Sequence, residues 1–111
     1  MLLKKHKINK EILKKVIKFG KKNDSDLLYL KVIHTKSNVP TFSFVVSKKV
    51  SKSAVKRNTI KRRARHVVWE NISLFKSGMA VVYFFKPGSE KINFQETKKA
   101  IITLSKKAGI V

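Results

Sequence analysis

The 111-residue sequence predicts one α+β domain, a sandwich in the order α-β-β-α-β-α around a small central sheet. Three observations carry this reading. Residues 27–33, 41–47 and 79–85 have the composition and period of strands. Residues 9–19, the segment from Lys56 to about Ile72, and 93–109 repeat apolar residues at helical spacing. The length suits one domain, 1–111, and a hydrophobic content of 42% supports a single modest core.

The first helix opens at Asn9, a good N-cap, and places Ile12, Leu13, Val16 and Ile17 on one face, with Gly20 as its stop. "KKNDSD", 21–26, reads as a polar loop. "LLYLKVI", 27–33, is β-branched and aromatic with little polar interruption, which favours a strand. "HTKSNVP", 34–40, carries turn residues and a proline. "TFSFVVS", 41–47, sets Phe42, Phe44 and Val46 against Thr41, Ser43 and Val45, the two-residue period of a second strand. The short link predicts an antiparallel hairpin between these two strands. A basic helix follows. "MAVVYFF", 79–85, is an apolar third strand ended by Lys86-Pro87-Gly88. Asn93 and Glu96 have capping-box spacing, and the last helix carries Ala100, Ile101, Leu104 and Ala108 on one face, with Gly109 at its end.

Lys and Arg number 27 against six acids, a formal charge of +21. Such self-repulsion costs the compact state free energy that a polyanionic partner relieves. No long apolar helix or anchored amphipathic helix points to a membrane, so nucleic acid is the expected partner. The chain has no cysteine, no signal-peptide pattern and no apolar run of membrane-spanning length, which predicts a cytoplasmic protein. The acids, Glu11, Asp24, Asp26, Glu70, Glu90 and Glu96, are scattered. His6, His34 and His66 fall in unrelated elements without ligand spacing and are expected to be exposed or to face the nucleic acid. Nothing here assembles a hydrolytic centre.

"SAVKRNTIKRRARHVV", 53–68, is the informative stretch. At about 100° per residue, Ile60, Ala64 and Val67 fall within roughly 60° of one another, with Val68 at the edge. Asn58, Lys61, Arg62 and Arg65 gather on a neighbouring face, with Arg57 at its border. One side can dock on a sheet while the other holds cations about a helical turn apart. Arg57, Lys61 and Arg65 repel one another at i, i+4, i+8, and no acid lies between Asp26 and Glu70 to offset them. A solubility face needs only lysine. Arginine adds bidentate phosphate contacts and base stacking.

The spacing does not separate RNA from DNA, but a resemblance does. "SKKVSKSAVKRNTIKRRAR", 47–65, resembles the signature of the bacterial ribonuclease P protein component: Ser-Lys-Lys, a short turn, then Ala-Val-x-Arg-Asn-x-x-Lys-Arg-x-x-Arg. The matching residues are Lys48, Lys49, Arg57, Asn58, Lys61, Arg62 and Arg65. "KKVIKFG", 14–20, "TFSFVVSKK", 41–49, "AVVYFFKP", 80–87, and "FQETKKAI", 94–101, extend the likeness along nearly the whole chain.

The resemblance implies a protein subunit of ribonuclease P, the endoribonuclease that removes the 5′ leader from precursor tRNA. It implies a left-handed βαβ crossover around the basic helix, against the usual hand of such connections. It also implies that the catalytic centre and its Mg2+ belong to an RNA subunit, with no metal bound by protein residues alone. The expected partners are that catalytic RNA and precursor tRNA, with no membrane and no obligate protein partner. The basic helix would hold the catalytic RNA. A cleft between the first helix and the sheet would receive the single-stranded leader, with Leu13, Ile17, Tyr29, Phe42 and Phe44 as its candidate lining. The sequence differs from the family pattern at Leu13 and Ile17, where phenylalanines are usual, at Lys7 for an arginine, at Ser43 for a glycine and at Met79 for an acid. A ribosomal protein or general RNA chaperone would share the charge and size, but not the Arg-Asn and Lys-Arg-x-x-Arg spacing. A helix-turn-helix DNA binder would need a short helix before the basic one, which is missing.

Overall fold

The computed structural model describes residues 4–111. Its elements are α1 (Lys10–Phe19), β1 (Lys21–Asp24), β2 (Leu28–His34), β3 (Thr41–Val45), α2 (Ala54–Glu70), β4 (Met79–Phe85) and α3 (Phe94–Lys107), with short 3-10 turns at Lys4–His6, Ile72–Leu74 and Ser89–Lys91. The sandwich of helices on one small sheet is therefore present. The sheet has four strands in the order β1-β2-β4-β3.

Two expectations are corrected. The polar stretch 21–26 is not all loop: Lys21–Asp24 pairs antiparallel with Tyr29–Val32 as an edge strand. β2 and β3 run antiparallel in sense but do not form a hairpin, because β4 lies between them, antiparallel to β2 and parallel to β3. The reason is burial. Six of the seven β4 residues are buried on one face or the other, and a strand apolar on both faces belongs in the middle of a sheet. The outcome is the parallel β3–α2–β4 crossover.

The caps follow the residues expected to make them. The Asn9 side chain accepts from Ile12 N–H at 2.9 Å, and Asn93 and Glu96 form the reciprocal capping box. The basic helix starts earlier than expected, at Ala54, because the Ser53 hydroxyl accepts from Lys56 N–H. Gly20 is required by close approach. A Cβ there would collide with the Val16 carbonyl and sit 2.9 Å from Lys31 Cβ, so only glycine lets α1 end hard against β2.

Register divides the core between the two faces of the sheet. Leu28 and Leu30 of β2, Phe42 and Phe44 of β3, and Val81, Tyr83 and Phe85 of β4 join Ile60, Ala64, Val67 and Val68 of α2 and Ile101 and Leu104 of α3 in the larger cluster. The apolar stripe read on the helical wheel is the docking stripe. At its centre Tyr83 and Ser105, both fully buried, share a hydroxyl–hydroxyl hydrogen bond of 2.6 Å. Burial raises the Tyr83 pKa well above the ordinary phenol range. On the opposite face Ala80 and Val82 of β4 meet Val16, with Ile12, Leu13, Ile33, Val45 and Phe84 packed around them.

Candidate nucleic-acid interface

Docking Ile60, Ala64, Val67 and Val68 on the sheet turns the other side of α2 to solvent. Asn58, Arg62 and Arg65 are exposed there, with Lys61 half-buried beside them. Arg57 is half-buried, and its Nη1 donates to the Ser51 carbonyl at 2.8 Å. That bond ties α2 to the Ser47–Val50 turn, closed by Val50 N–H on the Ser47 carbonyl and pinned by buried Val50. Lys48 and Lys49 are exposed on this turn. The seven cationic and amide residues of the motif therefore lie on one helix and the turn that leads into it. Arg63 is otherwise engaged, donating to the Ile92 carbonyl at 3.2 Å.

The sheet face on which α1 packs carries a strip of aromatic and lysine side chains beside the helix, the candidate groove. Partners in register share a face, so one row runs Val45, Phe84, Tyr29, Asp24 and another Ser43, Val82, Lys31, Lys22. Tyr29 and Phe84 stack with centroids 4.6 Å apart and planes 10° apart. Lys22 Nζ lies 4.5 Å from the Tyr29 ring centroid and Lys31 Nζ 6.0 Å from that of Phe84. Lys31 also donates to the Ile17 carbonyl at 2.8 Å, which satisfies an orphan carbonyl at the α1 C-terminus. From α1, Leu13 packs on this face half-buried, while Ile17 is 44% exposed.

Phe42 and Phe44 do not line the groove. They point to the other face, 2% and 8% exposed, in edge contact with Phe75 and stacked with Tyr83 respectively. Alternation shows that they share a face, and the larger apolar cluster claims that face. Phe84, which was not among the candidates, is the residue that stacks on Tyr29 on this face. The sequence signal was the pair Phe84–Phe85, whose members must point oppositely; Phe85 is the buried one.

His6 is also corrected. It is buried, and its Nδ1 donates to the Pro40 carbonyl at 2.9 Å. His34 and His66 are exposed, and His66 pairs with Glu70 one turn on. Three of the six acids, Asp24, Asp26 and Glu96, border a cleft of about 590 Å3 between α3 and the β1–β2 turn. Asp24 meets Lys86 at 2.5 Å, and this hydrogen bond holds its carboxyl below the ordinary range. Among the described residues no three His, Asp or Glu side chains come together as a metal site, and no helix is long and apolar enough to cross a membrane.

A positive helix face and a lysine-edged aromatic strip are thus built on one small sheet, and known proteins share the sequence family and the fold. Residues 2–109 match the Ribonuclease P family model. A Clostridium botulinum ribonuclease P protein component is 35% identical over 111 residues, 97% of this chain and 98% of that protein. Another from a Pseudanabaena species is 32% identical over 92% of this chain and 89% of its own length. Among solved structures, the Staphylococcus aureus RNase P protein superposes with a TM-score of 0.85 at 18% identity, covering 95% of this chain and 96% of that one. The Thermotoga maritima RNase P protein gives 0.81 at 18% identity, covering 91% and 96%. The chain belongs to the ribonuclease P protein family.

Proposed function

We propose that this chain is the RNA-binding protein subunit of a cytoplasmic ribonuclease P, assisting removal of the 5′ leader from precursor tRNA. The observation that carries the reading is the outward face of α2. Asn58, Arg62 and Arg65 stand exposed beside half-buried Lys61, at the family's spacing, and Lys48 and Lys49 extend the same surface through the turn that Arg57 anchors. Arginine forks spaced along a rigid helix fit successive phosphates of a folded RNA, and that RNA is the catalytic subunit.

The leader passes through the groove between α1 and the sheet. A single strand is held by cations along its backbone and by aromatic faces for its bases. Tyr29 and Phe84 supply the stacking surface, Lys22 and Lys31 the cations, and Leu13 and Ile17 apolar contact from α1. The protein's own residues bind and position RNA. Mg2+ would be held by the RNA and would supply Lewis-acid chemistry there, while protein cations lower the Mg2+ concentration needed for assembly by neutralising phosphates. No membrane and no obligate protein partner are involved.

The test mixes the purified chain with its matching catalytic RNA and precursor tRNA at low Mg2+. Stimulated 5′ cleavage is expected. Absence of stimulation, with RNA binding retained, would favour the ribosomal-protein or chaperone alternative.

A further inference from the structure

A hollow of about 390 Å3 lies where the chain enters α1, between the N-terminal segment and the β2–β3 link. Lys5, Lys7 and Lys36 line it, together with Thr35, Ser37 and Thr41, and no acid is among its lining residues. Nothing in the proposed helix face or groove uses these lysines.

The walls are fixed by the rest of the fold. Buried His6, between Lys5 and Lys7, is held by the Pro40 carbonyl. Ile8 N–H then donates to the Phe42 carbonyl at 3.3 Å, laying the segment along the β3 edge. On the other wall Thr35 Oγ1 accepts from Ser37 N–H at 3.3 Å, and Ser37 Oγ accepts from Val39 N–H at 3.2 Å. Both hydroxyls thus serve as acceptors, and among the described residues neither has an acceptor for its own proton. Among the described residues no carboxylate lies within salt-bridge distance of the three ammonium groups. Three cations and two hydroxyl donors around one hollow lack an anion.

Direction along the sheet says which anion. β3 starts beside the hollow with Thr41 and ends next to the Lys48–Lys49 turn. At about 3.3 Å per residue the two ends are about 13 Å apart. An RNA strand that follows β3 from the cationic turn therefore arrives at the hollow. We infer that the Lys5–Lys7–Lys36 hollow is a further binding site for an RNA phosphodiester, at the Thr41 end of β3, opposite the Lys48–Lys49 turn. This rests on the RNA-binding reading above. The phosphodiester comes from the leader or from the catalytic RNA.

The experiment measures binding by the full chain to the catalytic RNA alone, to precursor tRNA with a long leader and to leaderless tRNA, across a salt series. The variant Lys5→Gln/Lys7→Gln/Lys36→Gln is compared with Lys76→Gln/Lys99→Gln/Lys106→Gln, which removes the same charge from exposed sites elsewhere. Loss of one phosphate contact should weaken binding about ten-fold near physiological salt and flatten the log–log salt slope by about 0.7 to 0.9. Loss confined to the long-leader substrate identifies the leader, and loss with the catalytic RNA alone identifies that subunit. Equal losses in the two variants, or none in the first, overturn the site, since only net charge would then matter. A wild-type chain that binds none of the RNAs instead overturns the proposed function.

Discussion

Arg57 and Arg65 sit two turns apart on the same helix and do different things. Arg57 holds the turn that carries Lys48 and Lys49, through the Ser51 carbonyl, whereas Arg65 is exposed. Arg65→Ala should weaken binding to the catalytic RNA about ten-fold, flatten the salt slope by about 0.7 and leave the melting temperature unchanged. Asn58→Ala removes no charge, so it should weaken binding with the slope intact; the two titrations together separate hydrogen bonding from charge. If both variants bind as the parent does, α2 is only a solvated face. In the groove, Phe84→Leu should reduce the preference for precursor over mature tRNA by about 1–3 kcal/mol, the worth of one stacked base, and Leu13→Phe should raise it. Equal affinities for both tRNAs in all three proteins would place the leader elsewhere. None of this was fully legible in the residues. Helical spacing isolated Asn58, Lys61, Arg62 and Arg65, because the period itself assigns the faces. Strand alternation pairs Phe42 with Phe44, but only the helices packed above decide which side of the sheet is wet.

At the scale of elements, the strands differ in how much of their structure is local. β4 announces itself by seven apolar residues and α3 by its capping box, both properties of short sequence. β1 does not, because Lys-Lys-Asn-Asp has turn chemistry and becomes a strand only by pairing with β2. The β2–β3 link is short enough for a hairpin, yet a distant segment takes the place between them, which a local pattern cannot register. The Tyr83–Ser105 hydrogen bond fastens β4 to α3. Tyr83→Phe should therefore cost about 1–3 kcal/mol in urea denaturation, by leaving the buried Ser105 hydroxyl without its partner. A change within error would mean that Ser105 finds another partner.

For the whole molecule the governing quantity is +21 on 111 residues. About five phosphates neutralised by the helix face and its turn predict a log affinity that falls with log salt at a slope near −3 to −4; a flat dependence would reject the interface. The same charge destabilises the free protein, so a dilute polyphosphate should raise its melting temperature by binding the folded state. An unchanged melting curve would show that local packing already offsets the repulsion. The Asp24–Lys86 pair adds a small pH dependence. Its depressed carboxyl pKa gives stability that is present above the unfolded carboxylate pKa and is lost as pH falls through the folded one. Solvent exposure keeps the effect small.

The position of β4 also orders events during synthesis. β1, β2, β3 and α2 leave the ribosome before Met79, the first residue of the strand that joins β2 to β3. A nascent chain that stops short of β4 holds a hairpin, β1–β2, and a separate strand with its helix, and neither half has its hydrophobic floor. The sheet closes only when its middle arrives, so the cationic helix is made early and is seated late.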